Sequence, residues 1–111
     1  MLIASRVLTL RDGSDAIKIP IRILAPEKRT NENWFCRYEI DWPDKKSEMA
    51  IGGVDSVQAL VLALQIIGAE IYSSSYHQSG KLFVEAPGKG YGFPVAPSLR
   101  DLLQGDDLKY M

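Results

Sequence analysis

The chain holds one cysteine and one histidine. Cys36 and His77 could pair as nucleophile and base, since a thiolate attacks while an imidazole takes its proton. The surrounding pattern argues otherwise. Cys36 alternates with Trp34, Tyr38 and Ile40 along one strand face. There a thiol acts as a small buried hydrophobe, whereas reactive thiols need an exposed, electropositive setting. His77 sits in a polar hinge over residues 76–80. One histidine cannot build a multi-histidine zinc site, and no metal or cofactor is expected. Ser56, His77 and Asp55 can be written as a triad. Ser56, however, falls in a first helical turn beside a capping Asp55, with no strand-elbow glycine pattern around it. No catalytic residue is assigned. An enzyme reading would have to lean on Cys36 or on carboxylates such as Asp41 and Asp44.

The glycine-rich run over residues 88–94, GKGYGFP, is the better candidate for a contact site. The amides of Gly90, Tyr91 and Gly92 could form an anion-binding nest, with Lys89 alongside. The run lacks P-loop spacing, and no helix begins directly after it to add a dipole. The competing reading is a tight turn that tucks Phe93 into the core.

One long helix must position these residues, and residues 54–75 predict it. Asp55 is a good N-cap and Gln58 completes capping-box spacing, with Val54 and Ala59 as a hydrophobic staple. Val57, Leu60, Val61, Leu64, Ile67, Gly68 and Ile71 fall on one stripe, read as the face toward a sheet. A second, weaker apolar strip holds Ala59, Leu62, Ala63, Ile66 and Ala69. A helix apolar on two sides is covered on two sides. Either the C-terminal segment covers the second strip, or a partner subunit does, with Leu62, Ile66 and Ala69 as the interface. Gly68 marks either a helix break or a close approach.

The strands are read from alternation. Residues 3–10 and 16–24 flank an Asp12-Gly13 turn. Ile17, Ile19, Ile21 and Ile23 share a face, and Pro20 suggests an edge strand or an amide position facing outward. After a polar loop over 26–33 come strands at 34–42 and 47–52, then the helix, then a fifth strand at 81–86. The opposite face of the third strand, with Phe35, Arg37, Glu39 and Asp41, is a possible partner surface. Residues 86–97 are irregular. Residues 98–103 form a short helix stopped by Gly105, and residues 105–111 a loose tail. The order β-β-β-β-α-β-α predicts an α+β fold: an antiparallel sheet of four to five strands with one long helix across a face.

The chain has 111 residues, enough for one domain spanning 1–111. Its 13 basic and 14 acidic residues leave no basic excess for phosphates, so no nucleic-acid partner is expected. A lone cysteine suits a reducing cytoplasm. The N-terminus does not read as a signal peptide, and the longest apolar run, residues 59–64, is too short for a membrane span.

Three stretches carry a resemblance: Trp34 to Ile40 (WFCRYEI), Gly53 to Leu60 (GVDSVQAL) with Leu62-Ala63-Leu64 and Ile67-Gly68, and Gly90 to Pro94 (GYGFP). On these the chain resembles a domain-of-unknown-function family of small bacterial proteins. The resemblance spans most of the chain. It implies one compact domain and brings no activity or catalytic residues with it. The functional expectation is therefore a non-enzymatic, self-associating interaction or accessory module, with a homodimer or protein partner. The alternative is a small-molecule or anion binder using residues 88–94.

Overall fold

The structure is a computed structural model describing residues 1–29, 33–86 and 88–111. Part of the polar loop expected over 26–33, and one position of the irregular run over 86–97, lie outside the described residues. The chain forms β1 (Leu2–Asp12), β2 (Asp15–Leu24), β3 (Glu27–Lys28), β4 (Trp34–Asp41) and β5 (Lys46–Gly53). These are followed by α1 (Ser56–Ser73), α2 (Ser75–Gln78), β6 (Leu82–Phe83), a 3-10 helix (Pro97–Leu102) and α3 (Gly105–Tyr110). The fold is α+β. A 6-stranded sheet runs β3-β4-β2-β1-β6 with β5 added on β4, and the long helix packs on it. The β1–β6, β2–β4, β3–β4 and β4–β5 pairs are antiparallel.

The chain divides into two compact units, Met1–Arg6 with Ile19–Ala63 and Val7–Lys18 with Leu64–Met111. In the first unit β4 is the hub. Cys36, Tyr38 and Ile40 are fully buried on one face, as the alternation predicts, and Ile19, Ile21 and Ile23 of β2 are buried too. β2 is an inner strand, not an edge. Its register with β4 begins at Ile21, so Pro20 lies just outside a stretch where a donor is needed.

β3 continues β2 along the same side of β4 after a bulge. Between the Ile23–Tyr38 and Glu27–Phe35 pairs, one side carries Leu24, Ala25 and Pro26, and the other only Cys36 and Arg37. A bulge leaves ladder groups unpaired. Here they find partners. The Cys36 thiol donates to the Leu24 carbonyl at 3.4 Å, and the Ala25 amide donates to the Met1 carbonyl at 2.7 Å. Pro26 brings no amide hydrogen to place.

At the start of α1 the Asp55 carboxylate accepts the Gln58 amide at 2.7 Å. The Gln58 side chain accepts from Val54, one residue before the cap, also at 2.7 Å. The expected staple does not form: Ala59 is buried, but Val54 is 73% exposed. Nor does the expected stripe face inward along its whole length. Val57 and Val61 are 68% and 43% exposed, while Ala59 and Ala63 are fully buried. A β-carbon on Gly53 would stand 2.5 Å from the Ala59 amide nitrogen, so the backbones meet where only small residues fit.

In the second unit the remainder of α1 buries Ile67, Gly68, Ile71 and Tyr72. Gly68 is a close approach, not a break: a β-carbon there would collide with the Pro94 carbonyl. Phe93 and Val95 are buried beside it in sequence, so the turn does tuck Phe93 into the core. β6 is shorter than the expected strand and pairs Thr9 with Phe83 and Leu10 with Leu82. The C-terminal reading also changes. Of the expected apolar face Leu99, Leu102 and Leu103, the first two are 38% and 45% exposed and Leu103 is buried. Gly105 starts α3 where a helix stop was expected, and the segment read as a loose tail is helical.

By length and composition alone α1 could cross a membrane, with 18 residues and a mean hydropathy of 1.4, of which 33% is buried. Its orientation is testable. Ile67→Ala should lower stability by about 2–5 kcal/mol, while Val57→Ala should stay within about 0.5 kcal/mol, in urea melts. Equal losses would restore the orientation that hydropathy suggests.

Candidate functional site

The residues that hydrogen-bond most densely lie in the second unit, around one carboxylate. Asp107, on α3, is 1% exposed. Its Oδ2 accepts from the Tyr72 hydroxyl at 2.6 Å and from the Tyr91 amide at 2.8 Å, and its Oδ1 accepts from the Gly92 amide at 2.7 Å. A buried carboxylate needs charge-stabilising donors, and bonds to an ionised acceptor are short and strong. These donors are all neutral. Among the described residues no ion pair reaches Asp107.

Local sequence builds the cradle. Gly90 and Gly92 take positive φ, which turns the intervening amides toward one point. A β-carbon at Gly90 would stand 2.7 Å from the Asp107 carboxyl carbon. The loop answers the helix in turn, because the Lys89 carbonyl accepts the Asp106 amide at 2.9 Å. Gly105 has φ of +56°, and a β-carbon there would strike the Lys89 carbonyl group.

Two aromatic residues and the histidine wall the site. Tyr72, His77 and Tyr91 stack edge to face in all three pairs, with ring centroids 4.9, 5.1 and 5.5 Å apart. Ser74 caps α2 by accepting the His77 amide, which fixes the ring's starting point. His77 Nδ1 lies 2.6 Å from the Tyr91 hydroxyl, and the Leu82 carbonyl lies 3.3 Å from that hydroxyl. The hydroxyl has one proton. The shorter distance favours donation to a neutral His77 ring. Burial lowers the His77 pKa, in agreement with a neutral ring. Burial, aided by the nearby Asp107 charge, pushes Tyr91 up to about 12. Burial and the hydrogen bond to Asp107 raise Tyr72 further.

The sequence-derived candidates distribute as follows. Tyr91 and Gly92 supply the amide nest, and Gly90 makes room for it. Lys89 contributes its carbonyl, and its side chain is exposed. Leu62, Ile66 and Ala69 are half-buried on α1. Cys36 belongs to the first unit and His77 to the second. The Cys36 thiol is fully buried, and burial pushes its pKa up, away from a reactive thiolate. Asp55 is engaged in capping. Asp41 and Glu39 grip Arg22 at 2.6 and 2.8 Å, and those bonds hold both carboxyls below their usual range. Asp107 and Tyr72 were missed. The one available signal was an acidic pair after a glycine, which also reads as a tail.

A family model described as a domain of unknown function, DUF6968, matches residues 4–95. The chain belongs to that family. The match takes in Tyr72, His77, Tyr91 and Gly92 and stops short of Asp107. No curated protein and no solved structure matches the chain.

Two pH responses follow from the site. The lowered His77 pKa favours the neutral ring in the fold. That stability is present above the unfolded value of about 6.5 and is lost as pH falls through the lower folded value. The urea midpoint should therefore drop on acidification below neutrality, and His77→Gln should flatten the slope; an unchanged slope would mean that the ring is not desolvated. Conversely, raised tyrosine pKa values give stability that is complete below about 10 and is lost as pH rises through the folded values. Ultraviolet titration should show a phase near about 12 that Tyr91→Phe removes. A normal titration for every tyrosine would contradict the packing described.

Proposed function

We infer that this domain is a non-enzymatic interaction module that self-associates through the start of α1. One observation carries the reading: Val54, Val57 and Val61 are 73%, 68% and 43% exposed. Val57 and Val61, four residues apart, share one side of the helix, and Val54 stands just before its cap. Contiguous exposed apolar surface marks contact sites more often than chance.

A second copy is the partner that fits. Asp55 and Glu70 are the only charged residues between Val54 and Ser75, so two copies can face each other there with little like-charge repulsion. A two-fold axis would set the stripe against itself, and two-fold dimers are the commonest assemblies. Insertion into lipid fits less well, because the later half of the helix buries Ile67, Ile71 and Tyr72 within its own unit.

Light scattering behind a sizing column tests this. The native chain should run as a dimer, and Val57→Glu with Val61→Glu as a monomer of unchanged circular dichroism. A native monomer at high micromolar concentration would sink the reading. So would a native monomer that sediments with phosphatidylcholine vesicles, since that would assign the stripe to a lipid surface.

A further inference from the structure

The anion nest of the glycine loop is already full, and its occupant comes from the same chain. We propose that Tyr72, Tyr91 and Gly92 form a peptide-carboxylate site whose resident ligand is Asp107, and that the same site accepts a Gly-x-Asp turn from another chain.

The receptor half is made of residues outside the C-terminal segment. The Tyr72, His77 and Tyr91 rings hold one another edge to face, and His77 anchors the Tyr91 hydroxyl. All of these residues lie within the family match at 4–95, whereas the carboxylate lies outside it.

The ligand half is lightly held. After Val95, the described side chains that are buried are Leu103 and Asp107. The 3-10 helix Pro97–Leu102 has no buried residue. Leu108 and Met111 are 52% and 42% exposed. Besides its carboxylate, the segment is held by the buried Leu103, by the Asp106 amide on the Lys89 carbonyl and by the Gln104 amide on the Tyr72 hydroxyl, and segments with so few buried side chains open locally before the core does.

The contacts also define what would fit. The glycine is required, because Gly105 passes against the Lys89 carbonyl with positive φ. The next residue gives its amide to that carbonyl, as Asp106 does at 2.9 Å. Its side chain is exposed and places no demand on the sequence. The third residue must carry the carboxylate, and its length is set by the donors at 2.6 to 2.8 Å. A glutamate would carry the charge too far.

The test uses the full chain and its Asp107→Ala variant. A fluorescent peptide of residues 103–111 should bind the variant at least tenfold more tightly than the native chain, where the resident carboxylate competes. The same peptide with alanine at position 107 should bind neither. Sodium formate should raise the thermal midpoint of Asp107→Ala, relative to sodium chloride at equal ionic strength, and leave the native midpoint unchanged. Equal peptide binding by both proteins, or binding that survives loss of the peptide's Asp, would overturn the proposal. So would a folded variant that binds neither peptide nor formate. A variant that stays unfolded in formate would also overturn it, because the nest would then accept only a tethered carboxylate.

Discussion

A buried carboxylate that makes no ion pair among the described residues sets the terms for the second unit. Burying a charge is among the most expensive steps in folding, and neutral donors offset it only when several converge at short range. Asp107 meets three such donors, from α1 and from the glycine loop. Each donor needs its own support. Tyr72 must sit on the buried side of α1, which places Ile71 and Gly68 with it. The Tyr91 and Gly92 amides must converge, which requires glycine on either side of Tyr91. The turn that carries Asp107 must pass close to Lys89, which requires glycine at 105. One buried charge thus explains three glycines, a tyrosine orientation and the helical C-terminal segment.

The first unit is governed by a different constraint, that every backbone group in a sheet must be paired. β4 is hydrogen-bonded on both sides, by β5 over its full length and by β2 and β3 in turn. The shift between β2 and β3 leaves groups of the bulge without ladder partners. The Cys36 thiol and the Met1 carbonyl supply partners for the Leu24 carbonyl and the Ala25 amide. This gives the lone cysteine a structural task. Its sulfur is buried by the alternation of its strand and held by a carbonyl, so the residue most suggestive of chemistry is removed from it.

Much of this was legible in the sequence, for reasons of period. The isoleucines of β2 and the aromatic face of β4 alternate cleanly, and alternation survives any tertiary arrangement that keeps one face dry. The anion nest was legible from glycine spacing, because positive φ is a local property. Its occupant was not, since Asp107 lies sixteen residues from Tyr91 and its role depends on a chain reversal that no local signal encodes. The length of β6 and the inner position of β2 failed similarly: both are decided by neighbours along the sheet, not by the residues themselves. The C-terminal helix was misread because Gly105, a familiar stop, serves here as the opening residue of a turn.

The orientation of α1 shows why hydropathy alone misled. Large apolar residues dominate a stripe computed from transfer free energies, so Val57 and Val61 outrank Ala59 and Ala63. Packing ranks them the other way. Ala59 and Ala63 are fully buried, and at Gly53 even a β-carbon would run into the Ala59 backbone. The valines are then displaced to the outside. Retaining three exposed valines on the resulting surface is unfavourable for an isolated chain, since Thr, Lys or Glu would serve a solvated helix face as well. The sequence instead keeps that face apolar and free of charge from Ser56 to Ala69. That retention is what supports the proposed contact with a second copy.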